Sequence, residues 1–143
     1  MAELDDIYAP ELLEKSANIT HIGHLDAPDA TATAHSKMCG STISVEIKMN
    51  GNIVQDYAQT VEACLLGQSA AAIMAENIIG SSAEELREIS ARMREMLKEE
   101  GPKPEGKWAE LGLLENVRHF RARHASTLLV FDAVQEALSK IEG

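Results

Sequence analysis

From Thr42 to Met49 the chain alternates without a break: Ile43, Val45, Ile47 and Met49 on one side, Thr42, Ser44, Glu46 and Lys48 on the other. A period of two fits an extended strand that turns one face to a core and the other to water. Asn50-Gly51 follows at once, and both residues tolerate the positive φ of a type I′ turn, so the strand doubles back into a hairpin. The return strand is expected over residues 53–61, with looser alternation. Such a hairpin has one apolar face that the rest of the chain must cover.

The remaining segments supply that cover. Residues 63–79 are dominated by Ala, Leu, Ile and Met and end at Gly80, which predicts a helix buried on most sides. Ser82 followed three residues later by Glu85 is a capping box, and Leu86, Ile89, Met93, Met96 and Leu97 keep the helical period behind it. Gly101-Pro102 stops that helix. A Pro/Gly/Lys loop covers 101–107, one or two helical turns are expected over 111–117, and an amphipathic helix over 126–141. Upstream, residues 9–17 put Leu12, Leu13 and Ala17 on one helical face, and residues 18–33, rich in Gly, Pro, Asp and Thr, read as an extended loop. The sum is an α+β fold: a small antiparallel sheet of about three strands packed against several helices on one face. The 143 residues are expected to form a single domain, with 45% hydrophobic residues to fill one core.

Charge narrows the function classes. With 13 Lys and Arg against 23 Asp and Glu the net charge is -10, which repels phosphate backbones and anionic membranes. Arg118, Arg121 and Arg123, with His119 and His124, form the basic concentration of the chain, too sparse and too poor in aromatics for nucleic acid. It either counters negative charge at a site, docks an acidic partner, or is a solvated turn. No apolar run approaches a membrane span, and the amino terminus lacks a basic region followed by an apolar stretch, so a reducing cytoplasm is the expected compartment. No phosphate loop or nucleophile elbow is present, and the chain is not expected to be an enzyme. His21-Ile22-Gly23-His24 with Lys37-Met38-Cys39-Gly40-Ser41 resembles the paired signatures of adenylyl-transferring enzymes. Those need a parallel sheet whose first strand leads into the histidine motif, and here a helix is expected before it.

Two cysteines stand at related places. Cys39 precedes the first strand of the hairpin, beside Gly40, and Cys64 opens the apolar helix. A thiol at a helix amino terminus faces unpaired N–H groups and the positive end of the dipole, which favours the thiolate needed for metal binding or nucleophilic attack. Ser126 begins the last helix in the same manner. Two readings stand: Cys39, Cys64 and Ser126 converge on one reactive site, or the cysteines are small core residues and Ser126 an ordinary N-cap.

These residues resemble a known family. Cys39-Gly40-Ser41 before a strand, a hairpin, Ala63-Cys64 opening an Ala/Ser-rich helix, and residues 121–128 (Arg-Ala-Arg-His-Ala-Ser-Thr-Leu) opening the last one are similar to the U-type iron–sulfur cluster assembly scaffolds, the group of NifU amino-terminal domains, IscU and SufU. The loop from Asn18 to Gly23 adds to the likeness, which covers nearly the whole chain. In that family three cysteines and an aspartate hold a nascent iron–sulfur cluster or, in one branch, zinc. The resemblance places Cys39 and Cys64 at the first two cysteine positions, Ser41 at the aspartate and Ser126 at the third cysteine. Hydroxyls are poor ligands for iron or zinc beside thiolates and imidazoles. His124, or less directly His35, would supply an imidazole, and a dimer pooling cysteines from two chains or a small thiol would also complete the shell.

The resemblance therefore implies a scaffold whose Cys39 and Cys64 receive iron and sulfur, with a cysteine desulfurase as donor and apo iron–sulfur proteins as recipients. Two alternatives accompany it. One is a zinc-binding sulfur-transfer partner of the desulfurase, with Cys39, Cys64 and His124 on the metal. The other is an interaction module that keeps the fold without metal.

Overall fold

The computed structural model describes residues 10–37 and 40–142. Three antiparallel strands, β1 (Ala30–His35), β2 (Thr42–Asn50) and β3 (Ile53–Glu62), lie in the order β1-β2-β3. The helices are α1 (Pro10–Ala17), α2 (Leu65–Asn77), α3 (Ala83–Lys98) and α4 (His124–Glu142), with a 3-10 helix at Gly106–His119 and a 3-10 turn at Arg121–Arg123 before α4. The α+β architecture expected from the sequence is the one observed.

β2 buries Ile43, Val45 and Ile47 completely and leaves the alternate residues half-exposed. Gly51 closes the hairpin at φ 63°, as the Asn-Gly turn demands. Met49 departs from the alternation: the register shifts between Lys48 and Met49, Lys48 facing Asp56 and Met49 facing Val54, so a bulge at Gln55 leaves Met49 half-buried. β1 begins inside the segment 18–33 that reads as loop and runs two residues beyond it. Its Ala-Thr alternation lacks large apolar residues because α4 packs tightly beneath Ala30 and Ala32.

α2 is buried nearly all round, with Leu66, Ala70, Ala71, Ala72 and Ile73 fully covered. It packs on α1, α4 and the 3-10 helix, while α4 spans β1 and β2. Under β3 the core holds a polar element: the Tyr57 hydroxyl donates to Gln59 Oε1 (2.8 Å), and Gln59 Nε2 donates to Thr20 O and Ala71 O (3.2 Å each). Burial pushes the Tyr57 phenol far above its usual range, so it stays a neutral donor. Those bonds tie the 18–29 loop to α2 through β3.

Candidate functional site

The site forms where the β1–β2 loop, the start of α2 and the start of α4 meet. The loop is closed by Ser36 N–H donating to Ser41 O (2.8 Å) and Gly40 N–H donating to Ser36 O (2.9 Å), with Gly40 at φ 69°. Cys39 lies outside the described residues. Ser41, 3% exposed, turns its Oγ to accept the Cys64 N–H at 3.4 Å.

Cys64 is the N-cap of α2, with φ -67° and ψ 170°, and its thiol makes no capping bond. The first turn of α2 carries no acid, so nothing there neutralises the positive end of the dipole. The half-buried thiol instead donates to Ser126 Oγ, 3.3 Å away. Ser126, 2% exposed, donates in turn to Arg123 O (3.2 Å), which also accepts from Thr127 Oγ1 (2.8 Å). A hydroxyl has one proton. With a neutral thiol the chain of donation runs from Cys64 through Ser126 to Arg123.

Gly67 brings these two helix starts together. A Cβ built on it would stand 2.8 Å from Ala63 Cβ and 3.1 Å from Ser126 O, so only glycine lets the backbones of α2 and α4 approach this closely. Sequence reasoning missed this residue, and the available signal was a glycine one turn into an otherwise Ala- and Leu-rich helix.

His124, 7% exposed, has Nε2 3.0 Å from Val117 O and 3.2 Å from Arg118 O. Two carbonyl acceptors require a proton on Nε2, which leaves Nδ1 with its lone pair when the ring is neutral. The ring lines a cleft with Lys98, Arg121 and Ala125. His35, exposed, pairs through Nδ1 with Thr42 Oγ1 (3.0 Å) on the outer face of the sheet. Part of the basic segment is structural: Arg118 donates to Gly101 O (3.1 Å) and to Glu115 (3.2 Å). Among the described residues, no three His, Cys, Asp or Glu side chains form a metal-holding group. Thus the structure brings Ser41 and Ser126 each into contact with Cys64 and places His124 at the first position of α4, two residues before Ser126, with Nε2 committed to carbonyls.

Chemically, the arrangement offers a thiol beside a helix amino terminus, one hydroxyl, Ser126, against its sulfur, and a second, Ser41, on its backbone N–H. An imidazole with a defined tautomer stands on the same helix start as one of those hydroxyls. Such groups suit sulfur exchange or soft-metal binding.

Comparison with known proteins bears on the same region. The family model described as the NifU-like N terminal domain matches residues 7–127. The chain is 28% identical over 137 residues, 94% of each chain, to the iron-sulfur cluster assembly scaffold protein IscU of Thermotoga maritima. It is 24% identical over 142 residues, 99% of this chain and 96% of the other, to the zinc-dependent sulfurtransferase SufU of Bacillus subtilis. The crystal structure of a nitrogen-fixing NifU-like protein (N-terminal) from Brucella abortus superposes with a TM-score of 0.95 at 51% identity, covering 97% of this chain and 96% of that one.

Proposed function

The chain belongs to the NifU-like N-terminal domain family, and from that premise we propose that it is a scaffold for iron–sulfur cluster assembly which takes up sulfur and iron at Cys64 and Cys39 and passes them on. The observation that carries this reading is the Cys64 thiol on the bare amino end of α2, bonded to the Ser126 hydroxyl while Ser41 accepts the Cys64 N–H.

In the sulfur step, the Cys64 thiolate attacks the outer sulfur of a persulfide on a cysteine desulfurase. The donor's S–S bond breaks, its thiolate leaves with the electron pair, and the sulfur remains on Cys64 as a persulfide. Ser126 then turns its proton from Arg123 O toward the charged sulfur, while Thr127 keeps the carbonyl satisfied. The iron–sulfur cluster is cargo, and recipients are apo iron–sulfur proteins. The donor types fit such transient holding: the Cys64 thiolate is a ligand of the right softness, Ser41 and Ser126 are weak ones, and an imidazole would have to come from His124, whose Nε2 is held by carbonyls and whose ring lines a cleft with Lys98 and Arg121. A shell short of thiolates releases its load more readily than a complete four-ligand site. No step needs the chain to act as an enzyme.

The direct test is anaerobic reconstitution with iron and sulfide, with metal and sulfide analysis of the product. Visible charge-transfer absorption is expected in the native chain and its loss in Cys64→Ala. No absorption, together with an unchanged Cys64→Ala variant, refutes the scaffold. The likeness to a zinc-dependent sulfurtransferase supports a second reading, in which Cys39, Cys64 and His124 hold zinc during sulfur transfer. Stoichiometric zinc without sulfide, lost in His124→Ala, would select it. Partner binding that survives Cys39→Ala/Cys64→Ala, with no metal in the native chain, would leave only the interaction module.

A further inference from the structure

The basic segment before α4 divides into parts with different work. Arg118 is tied to Gly101 O and Glu115, while Arg121 and His124 line a cleft of about 230 Å³ with Ala125 and with Lys98 from the last turn of α3. Among the described residues, neither Lys98 nor Arg121 forms an ion pair or a hydrogen bond. Elsewhere cations find acids: Lys15 pairs with Glu76 and Glu110, Arg87 with Glu142, Arg94 with Asp132 and Lys107 with Glu85. In a chain of 23 acids and 13 bases, two bases left open on one cleft reverse the field locally. No acid lines the cleft, and the first turn of α4 contains none. The acid that Lys98 senses, Asp132, is already paired with Arg94.

His124 adds an acceptor. The residue is 7% exposed, its Nε2 donates to Val117 O and Arg118 O, and Nδ1 has no partner among the described residues. The buried side-chain atom left unpartnered there is Arg118 Nε, so Nδ1 is not sealed in the core and opens to the cleft that its ring lines. Two cations and one lone pair select the occupant. A carboxylate satisfies the cations and a peptide N–H satisfies Nδ1, so an acidic peptide segment meets all three groups. A fully ionised phosphate or sulfate has no proton for Nδ1, and a free amino acid sets its ammonium against both cations. The volume agrees, since it lies below the roughly 300 Å³ at which small-molecule pockets begin and suits one anchoring side chain.

Position says whose segment it is. Ala125 lines the cleft, and the next residue, Ser126, meets the Cys64 sulfur at 3.3 Å. We propose that the cleft seats an acidic residue of the protein that brings sulfur to Cys64. Lys98 and Arg121 hold its carboxylate, and His124 Nδ1, in the metal-free chain, accepts one of the segment's backbone N–H groups. The proposal rests on the reading of Cys64 as the sulfur acceptor. An extended peptide advances about 3.3 Å per residue, so an acid about three residues from the donor's sulfur spans the step from Cys64 to the cleft. A chain of net charge -10 repels an acidic partner at long range, and this cleft is where it is admitted.

Activated peptides test this on the full chain carrying Cys39→Ala, so that one thiol reacts. A short peptide whose cysteine carries a thiopyridyl disulfide is made with Glu about three residues from the cysteine, or with Gln in its place. The Cys64 thiolate attacks the peptide sulfur, the bond from that sulfur to the thiopyridyl group breaks, and pyridinethiolate leaves with the electron pair and is read by absorbance. At physiological ionic strength the Debye length of about 8 Å screens the distant acids. The Glu peptide is then expected to react about tenfold faster than the Gln peptide. Lys98→Gln/Arg121→Gln should erase that ratio and leave the rate of the Gln peptide as it was, with unchanged circular dichroism, because both side chains are exposed. Equal rates for the two peptides before substitution overturn the proposal, as does a ratio that survives the double variant. A preference for the small dianion dithiobisnitrobenzoate over neutral dithiodipyridine, with none between the peptides, also overturns it and assigns the cleft to small anions. Iron and sulfide take no part in this readout, so a failed reconstitution removes the scaffold reading without deciding the peptide ratio.

Discussion

Ser82 and Cys64 hold the same station, the residue before the first turn of a helix, with the same extended backbone at ψ 159° and 170°. Ser82 accepts the Glu85 N–H, and two acids, Glu84 and Glu85, complement the dipole of α3. Glu85 is itself anchored: Trp108 Nε1 (2.8 Å), Ser81 Oγ (3.1 Å) and Lys107 Nζ (3.0 Å) all reach its carboxylate. Cys64 caps nothing, and no acid follows it. One helix start is closed by its own side chains, the other is left electropositive and pointed at a sulfur. The difference separates a stabilising end from a working one, and it can be broken from either side.

The largest effect is expected at Gly67. Gly67→Val forces α2 and α4 apart and should lower stability by about 1–3 kcal/mol in chemical denaturation, while the Cys64–Ser126 contact is lost. Next comes the exchange of roles. Ser82→Ala should cost about 1 kcal/mol and leave iron and sulfur uptake intact. Cys64→Ser should keep stability within about 0.5 kcal/mol and abolish uptake. If Ser82→Ala also stops uptake, or Cys64→Ser unfolds the chain, the two ends are not distinct.

A pH titration sharpens the contrast further. Burial works against the charge on Glu85, but bonds from Trp108, Lys107 and Ser81 outweigh it and hold the carboxyl below its usual range. Its contribution is fully present above the ordinary carboxylate range and is lost as pH falls through the depressed value. Glu85→Gln should therefore flatten the acid limb of stability measured by thermal melts, and an unchanged limb would refute the anchoring. The smallest effect belongs to Gln68→Glu, which puts an acid in the first turn of α2. It should add a few tenths of a kcal/mol and slow alkylation of Cys64, followed by peptide mass mapping.

Large side chains made most of the fold legible. The β2 alternation, the Asn-Gly turn and the apolar stripe of α3 all appear where residue size alone sets the period. β1 escaped because its buried positions are alanines, whose smallness answers to α4 packing against them, a contact between distant segments that the sequence does not display. The capping box was half right: Ser82 caps as expected, while the Glu85 carboxylate turns to Trp108, a partner 23 positions away. At the site, Cys64 and Ser126 were found because helix starts carry their own signals. Gly67 was not: the glycine stands out in an Ala- and Leu-rich helix, but the α4 backbone that requires it is 59 positions away and leaves no mark beside it.

The 3-10 helix from Gly106 to His119 ends with the two carbonyls that hold the His124 ring. Fourteen residues in this form reach about 28 Å, against about 21 Å for an α-helix of the same count. Each residue also turns the chain by about 120°. One inserted or deleted residue would swing the Val117 and Arg118 carbonyls a third of a turn away from His124. The segment thus behaves as a ruler, free to drift in composition along its exposed side but intolerant of any change in length.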